Sequence, residues 1–101
     1  MARWKVSMED KAEVELTHML KEGIVTKDDV KVLLRWVSDM EEFGPEYVAN
    51  SPEWHDHPLE REWQGHRASA FSSGGRVIYQ ILADSIVVKV ARVTTEHNYK
   101  K

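Results

Sequence analysis

The stretch RVIYQILADSIVVKVARV, residues 76–93, decides the fold. Apolar and polar residues tend to alternate along it on both sides of the short segment 83–85, and β-branched residues are frequent, which is typical of two strands joined by a tight turn. A run over residues 63–71 has the same period, and Ser-Ser-Gly-Gly at 72–75 provides a turn after it. Short turns force antiparallel pairing, so the sequence predicts a three-strand meander over residues 63–93.

Two amphipathic helices are predicted before these strands. Apolar residues recur at helical spacing over residues 8–22 and again over residues 27–43. Each helix follows a hydroxyl residue that has an aspartate three positions later, the pattern of a capping box: Ser7 with Asp10, and Thr26 with Asp29. The short connection predicts a helical hairpin. Trp36 lies off the apolar stripe of the second helix, and we expect it in a partner interface.

The remaining segments complete an α+β order. Residues 2–6 alternate apolar and basic side chains, which predicts a first strand whose place in the sheet stays open. Residues 45–62 contain three prolines and no regular period, so we expect a long loop with one short turn at most. The predicted order is β-α-α-β-β-β in a single domain, residues 1–101, with an antiparallel sheet and the helical hairpin packed on one of its faces.

Composition restricts the class of protein. The 101 residues are 42% hydrophobic and include no cysteine, so the chain can build one modest core but neither a disulfide framework nor a thiolate zinc site. No apolar run approaches the roughly 18 residues that a bilayer span needs, and no secretory signal is visible. We therefore expect a cytoplasmic protein with no membrane partner.

Charge is unevenly distributed along the chain. Residues 1–53 carry 7 lysines and arginines against 12 aspartates and glutamates, whereas residues 54–101 carry 7 against 5 and hold four of the five histidines. A polyanion would be repelled by the first half and attracted to the second. The second half is therefore where a phosphate-containing ligand is expected.

Side chains able to act on a phosphodiester cluster in this second half. If the helices cover one sheet face, the other is open, and a guanidinium there can hold two phosphate oxygens while an imidazole transfers a proton near neutral pH. The cluster consists of His55, Asp56, His57, Arg61, His66, Arg67, Arg76, Tyr79, Arg92, His97 and Tyr99.

Several of these residues have more than one interpretation. Two histidines two positions apart, His55 and His57, could bind a metal with His66 or His97, could belong to a solvated polar loop, or could be catalytic or contact RNA. Pro58 and the lack of fixed third-ligand spacing weigh against the metal, so we predict no metal and no cofactor. The arginines predicted on adjacent strands are also compatible with plain surface charge.

Four short motifs follow one another in the second half of the chain. They are His-Asp-His-Pro-Leu at 55–59, Glu-Trp-Gln-Gly-His-Arg at 62–67, Arg-Val-Ile-Tyr at 76–79, and Val-Ala-Arg-Val-Thr-Thr-Glu-His-Asn-Tyr at 90–99. Together they resemble the RelE/ParE superfamily of bacterial toxins, and within it the YafQ and YoeB branch. The predicted order of elements matches the fold of that superfamily over nearly the whole chain. Ala70 and Gly74 depart from the YafQ pattern, which has a histidine and an aspartate there.

The resemblance implies the toxin of a type II toxin–antitoxin system, a ribosome-dependent mRNA endoribonuclease that stops translation. In such enzymes the 2′-hydroxyl of the RNA attacks the neighbouring phosphate without a metal, which leaves a 2′,3′-cyclic phosphate and a 5′-hydroxyl. The resemblance implies one set of catalytic residues: His57, Arg67, Arg76, His97 and Tyr99. Arg76 would be the main clamp on the transition state, and His57 and His97 would share proton transfer. The residues implied in substrate contact are His55, His66, Arg92 and Lys100.

Two other functions stay open at this point. A ParE-like toxin would inhibit DNA gyrase without chemistry, and an inactive module would keep only the fold. His97 favours the nuclease, because ParE-like members tend to lack a histidine in the C-terminal tail. The resemblance also implies a cognate antitoxin over the apolar helix surfaces and the open sheet edge, with the ribosome and mRNA as further partners. No DNA-binding element is recognisable, so we expect contact with DNA only through the antitoxin.

Overall fold

Residues 4–82 and 87–95 are described by the computed structural model, and they form three helices and one five-strand sheet. The helices are α1 (Asp10–Lys21), α2 (Lys27–Phe43) and α3 (Pro45–Asn50). The strands are β1 (Lys5–Met8), β2 (His57–Pro58), β3 (Arg67–Ala70), β4 (Arg76–Ile81) and β5 (Val87–Thr94). Single turns of 3-10 helix occur at Pro52–Trp54 and Arg61–Trp63. The predicted α+β class is confirmed.

The sheet has the strand order β1-β5-β4-β3-β2 and is mixed. Strands β3, β4 and β5 pair antiparallel, which confirms the predicted three-strand meander, and β2 pairs antiparallel with β3 as an additional strand. β1 pairs parallel with β5, with Lys5 opposite Val87, so the prediction of a wholly antiparallel sheet is wrong. A parallel pair needs a long crossover, and here the helices and the meander that separate β1 from β5 in the chain provide it.

The two long helices begin differently. At α2, the Asp29 N–H donates to Thr26 Oγ1 over 3.1 Å and the Thr26 N–H donates to Asp29 Oδ2 over 3.0 Å, so the predicted capping box is confirmed. At α1 the residue before the helix is Glu9, and it makes no side-chain cap. The predicted box at Ser7 is wrong because Ser7 lies within β1, opposite Lys89 of β5.

The segment predicted as a loop, residues 45–62, is more ordered than expected. It forms α3, with Pro45 at its first position where a missing N–H costs nothing, and it contributes the two-residue strand β2. The strand predicted over residues 63–71 is shorter, since β3 begins only at Arg67. Arg61 and Gly65 have positive φ angles of 59° and 91°, which extended strand backbone does not adopt.

The core lies between the helices and one face of the sheet. α1 packs on β5, while α2 packs on β1 and α3. Trp36 is fully buried, and its ring meets that of Tyr79 edge-on with 5.3 Å between centroids, so the predicted interface role of Trp36 is wrong. The largest buried side chains of this core are Trp36, Trp54, Tyr79 and Met40. No helix in the described part of the chain is long and apolar enough to cross a membrane.

The second face of the sheet is only partly open. Leu59, Trp63, Ala68 and Ile78 form a smaller apolar cluster there. The chain between β2 and β3 therefore covers one part of the face that the sequence analysis expected to be exposed. The uncovered part lies toward the β3–β4 turn, where the candidate site is found.

Candidate functional site

A pocket of about 600 Å³ opens where β2 and the β3–β4 turn come close to α2. Its lining includes the imidazoles of His55 and His57 around β2 and the charged side chains of Arg76 at the start of β4, Arg35 and Glu53. Two predicted catalytic residues, His57 and Arg76, thus line one cavity together with the predicted substrate contact at His55.

Strand register explains why His57 and Arg76 share this pocket. His57 is opposite Ala68 and Arg76 is opposite Ala70 in the ladders that flank β3. Residues two positions apart on a strand project from the same face, so both side chains leave the same face of the sheet. Ala70 also lines the pocket, and its single methyl group leaves room for a ligand beside Arg76.

The guanidinium of Arg76 is held by backbone oxygens. Its Nη1 donates to the carbonyl of Gly75 over 2.9 Å and to that of Ser72 over 3.4 Å. No carboxylate pairs with it among residues 4–82 and 87–95. Because a guanidinium has five N–H donors, Arg76 keeps donors for an oxyanion in the pocket.

The turn that carries Arg76 requires glycine at one position. The Gly75 N–H donates to Ser72 Oγ over 2.7 Å. A Cβ on Gly75 would stand 2.5 Å from that oxygen and 2.7 Å from Cζ of Phe71. The close approach of this backbone to Ser72 and Phe71 therefore places the first residue of β4 at the rim of the pocket.

The imidazole of His57 has one nitrogen already engaged. Its Nδ1 lies 3.0 Å from the carbonyl oxygen of His55. A carbonyl only accepts hydrogen bonds, so the neutral ring carries its proton on Nδ1 and Nε2 is left without one. His57 is half-buried, and Nε2 is the nitrogen that can accept a proton from a ligand.

Asp56, between the two histidines, points the other way into the protein. Its carboxylate is fully buried and accepts from Arg67 Nε over 2.6 Å, from Ser69 Oγ over 2.5 Å and from Tyr79 Oη over 2.5 Å. Burial raises the pKa of the Tyr79 hydroxyl, and the Asp56 carboxylate raises it further. Partial burial lowers the pKa of Arg67, but its hydrogen bond and charge attraction with Asp56 outweigh this and raise it overall.

The side chains of Arg67 and Arg76 lie in different pockets. Arg67 lies opposite Tyr79, whose ring is in the main core, whereas Arg76 lies opposite Ala70 on the other face. The two arginines are on adjacent strands, as predicted, but they project from opposite faces. Arg67 lines a separate, mainly apolar pocket together with Trp4 and Ile81.

The remaining predicted residues are distributed away from the pocket. Arg92 forms an ion pair with Glu15 of α1, with 2.6 Å between Nε and Oε2. His66 meets the ring of Trp63 edge-on at 5.1 Å, and its buried Nδ1 has no hydrogen-bond partner. Three predicted residues lie outside the described residues: His97, Tyr99 and Lys100.

Three residues in or beside the pocket received no role from the sequence: Arg35, Glu53 and Asp56. Arg35 and Glu53 form an ion pair at the pocket, and Arg35 lies over the ring of Trp54 at 5.1 Å from its centroid. They come from separate elements, so no local pattern connects them. Asp56 had a visible signal, an acidic residue between two histidines, but its burial depends on Arg67 and Tyr79.

A metal site was the other interpretation of the histidine pair. Among residues 4–82 and 87–95, no group of three or more histidine, aspartate or glutamate side chains is arranged to hold a metal ion. His55 and His57 are instead joined by the hydrogen bond between ring and carbonyl.

Neither a protein-family model nor a curated protein sequence matches the chain. Among solved structures, YafQ from E. coli strain BL21(DE3) superposes with a TM-score of 0.70 at 16% identity, covering 97% of this chain and 99% of that one. A metal-bound toxin from Helicobacter pylori has a TM-score of 0.70 at 19% identity, with 95% and 97% covered. A chain of the YoeB–YefM complex from Staphylococcus aureus superposes with a TM-score of 0.69 at 14% identity, covering 95% of this chain and 100% of that one. The fold implied by the resemblance to the YafQ and YoeB branch is thus confirmed.

Proposed function

We propose that this chain is the toxin of a type II toxin–antitoxin pair and that it cleaves mRNA on the ribosome. The observation that carries the proposal is the convergence of His57 and Arg76, from different strands, on one pocket. The shared fold supports it, since the matched structures that cover most of this chain include a toxin from Helicobacter pylori and chains of the DinJ–YafQ and YoeB–YefM toxin–antitoxin complexes.

In the proposed reaction His57 acts at the 2′-hydroxyl of the RNA. Nε2 accepts the proton as the 2′-oxygen attacks the adjacent phosphorus atom, and the bond from phosphorus to the 5′-oxygen breaks. The 5′-oxygen leaves with a proton. Because His57 is the base in this proposal, the acid is His97, the other residue that the resemblance implies in proton transfer. The products are a 2′,3′-cyclic phosphate and a 5′-hydroxyl, with no net change in oxidation state.

Arg76 supplies the positive charge that this reaction needs at the phosphate. Negative charge builds up on the non-bridging oxygens as the fifth bond to phosphorus forms, and a guanidinium fork stabilises it in place of a metal ion. The contacts of Arg76 with the Gly75 and Ser72 carbonyls hold the group before substrate arrives. Arg67, already engaged with Asp56, is not assigned a phosphate contact.

The proposed partners follow from the same class of protein. A cognate antitoxin is expected, as in the complex named for YoeB and YefM. Large apolar side chains are exposed on and near the helices, and they offer a surface for an amphipathic segment: Val14, Leu20, Ile24, Leu34, Phe43 and Tyr47. The ribosome and its mRNA are the proposed substrate complex, which assigns the active protein to the cytoplasm.

The test is inducible expression in bacteria followed by mapping of RNA ends. Fragments with a 5′-hydroxyl are captured after enzymatic phosphorylation, and cuts inside codons of translated messages are the expected result. His57→Gln and Arg76→Ala should remove the cuts, while Arg61→Ala, an exposed arginine that does not line the pocket, should keep them. DNA damage without such cuts would overturn the nuclease in favour of gyrase inhibition. Harmless expression of a folded protein would overturn both.

A further inference from the structure

The buried carboxylate of Asp56 has no contact with the pocket, yet it lies between two residues that line it. Its three donors come from β3 and β4: the Arg67 guanidinium, the Ser69 hydroxyl and the Tyr79 hydroxyl. Asp56, the residue before β2, is therefore connected to β3 and β4 through hydrogen bonds on the core side of the sheet.

Strand β2 needs such an attachment because it is very short. It consists of His57 and Pro58 alone, and proline has no N–H to donate to the ladder. A two-residue ladder at a sheet edge specifies its register weakly, and a slip of one residue turns each side chain to the other face. With the Asp56 carboxylate anchored inward, the side chains of His55 and His57 are both held in the pocket.

Stability alone is a poor explanation for this arrangement. Taking a carboxylate and a guanidinium out of water costs free energy that their attraction offsets only in part, and apolar replacements of similar volume are often equally stable. Three directed hydrogen bonds fix a single orientation of the carboxylate, which apolar contacts cannot do. That orientation is transmitted to the next residue, whose Nδ1 donates to the carbonyl of His55.

We propose that Asp56 is a positioning residue that sets the orientation and tautomer of His57 through its anchors on Arg67, Ser69 and Tyr79. The role in catalysis rests on the function proposed above, whereas the effect on the imidazole is a property of the folded chain. Tyr79 and Ser69 share this positioning role, because the hydroxyl of each donates a hydrogen bond to Asp56 Oδ2.

The first arm of the test observes the imidazole without RNA. Nitrogen NMR on histidine-labelled protein distinguishes an Nδ1–H ring from an Nε2–H ring, and the unaltered chain should show Nδ1–H for His57. Asp56→Asn should shift His57 toward a mixture of tautomers. Tyr79→Phe, which keeps the ring packed on Trp36, should shift it in the same direction but less. Val25→Ala, a buried truncation that does not line the pocket, should lower the melting temperature and leave His57 unchanged.

The second arm measures cleavage on programmed ribosomes. Asp56→Asn should lower kcat about 10²-fold, the cost of a small misplacement of a reacting group, with KM nearly unchanged because Arg76 is untouched. Unchanged His57 signals in both Asp56→Asn and Tyr79→Phe would overturn the proposal, as would full kcat in Asp56→Asn. A chain that cleaves no RNA but whose His57 tautomer depends on Asp56 would overturn the nuclease and support the positioning role.

Discussion

His57 on β2 and Arg76 on β4 lie diagonally across β3, on the same side of the sheet, because their partners in β3 are Ala68 and Ala70. The two backbones that carry them are two strand spacings apart, roughly 9–10 Å, and the two residues are also offset by roughly 7 Å along the strands. Both side chains line one pocket, so an imidazole and a guanidinium reach the same volume. This separation admits a phosphodiester between them, and the first two predictions concern its two partners.

Arg76→Ala should lower cleavage by about 10²–10³-fold, because it removes the main charge available to the transition state. Its effect on folding should be small, since the hydrogen bonds of the Arg76 side chain to other described residues are those to the carbonyls of Gly75 and Ser72. Single-turnover cleavage on programmed ribosomes and thermal unfolding are the two measurements. Arg76→Lys should recover part of the rate, because a lysine restores charge but not the fork. Full activity in Arg76→Ala would remove this residue from the site.

His57→Gln should lower kcat by about 10²–10⁴-fold, since the amide cannot act as a general base at Nε2. Binding to the ribosome should be nearly unchanged, so the loss should appear in kcat rather than in KM. His66→Gln is the matched control, because His66 lies against Trp63 and does not line the pocket. Equal losses in the two variants would show that the pocket does not define the active centre.

Arg67→Ala should destabilise the fold by about 3 kcal/mol, because it leaves the fully buried Asp56 carboxylate without its charged partner. Arg92→Ala removes the ion pair with Glu15, in which both side chains are partly exposed, and should cost about 1 kcal/mol or less. Urea unfolding at neutral pH compares the two. An equally small cost for both would contradict the importance of the ion pair between Arg67 and Asp56 for stability.

The raised pKa of Tyr79 predicts that the protein loses stability at alkaline pH. The Tyr79 hydroxyl has a raised pKa in the folded protein, whereas in the unfolded chain it titrates near its usual value of about 10. Below about pH 10 the Tyr79 hydroxyl is protonated in both states, so its contribution to the free energy of unfolding is fully present. As the pH rises above this value, the unfolded chain loses a proton that the folded protein retains, so the free energy of unfolding falls. Urea unfolding from about pH 8 to 11 should show a steeper fall for the unaltered chain than for Tyr79→Phe. Parallel curves would contradict this.

Removal of transition metals should leave cleavage unchanged, because the proposed chemistry assigns the phosphate charge to Arg76 and proton transfer to His57. The measurement uses a translating extract with a chelator selective for transition metals, since ribosomes need their magnesium. Loss of cutting that added zinc restores would instead support the metal interpretation of His55 and His57.

Local patterns predicted the elements whose stability is local. The bounds of α2 and its capping box at Thr26 follow from helical spacing and from a side chain three residues away. β4 and β5 follow from alternation and β-branched residues. Together with the motifs, these elements were enough to predict the toxin-like fold and three of the residues that line the pocket, His55, His57 and Arg76.

The arrangement of charged residues depended on contacts between segments far apart in the chain. Arg67 and Arg76 look equivalent in sequence, but strand register turns one toward the core and the other toward the pocket. β1 lies parallel to β5 because side chains from separate elements must close one core. Asp56 is buried only because two strands bring three donors to it. Periodicity along a chain specifies the faces of an element, whereas the free energy of packing and of satisfying buried charge decides which faces meet, and only the tertiary structure contains that information.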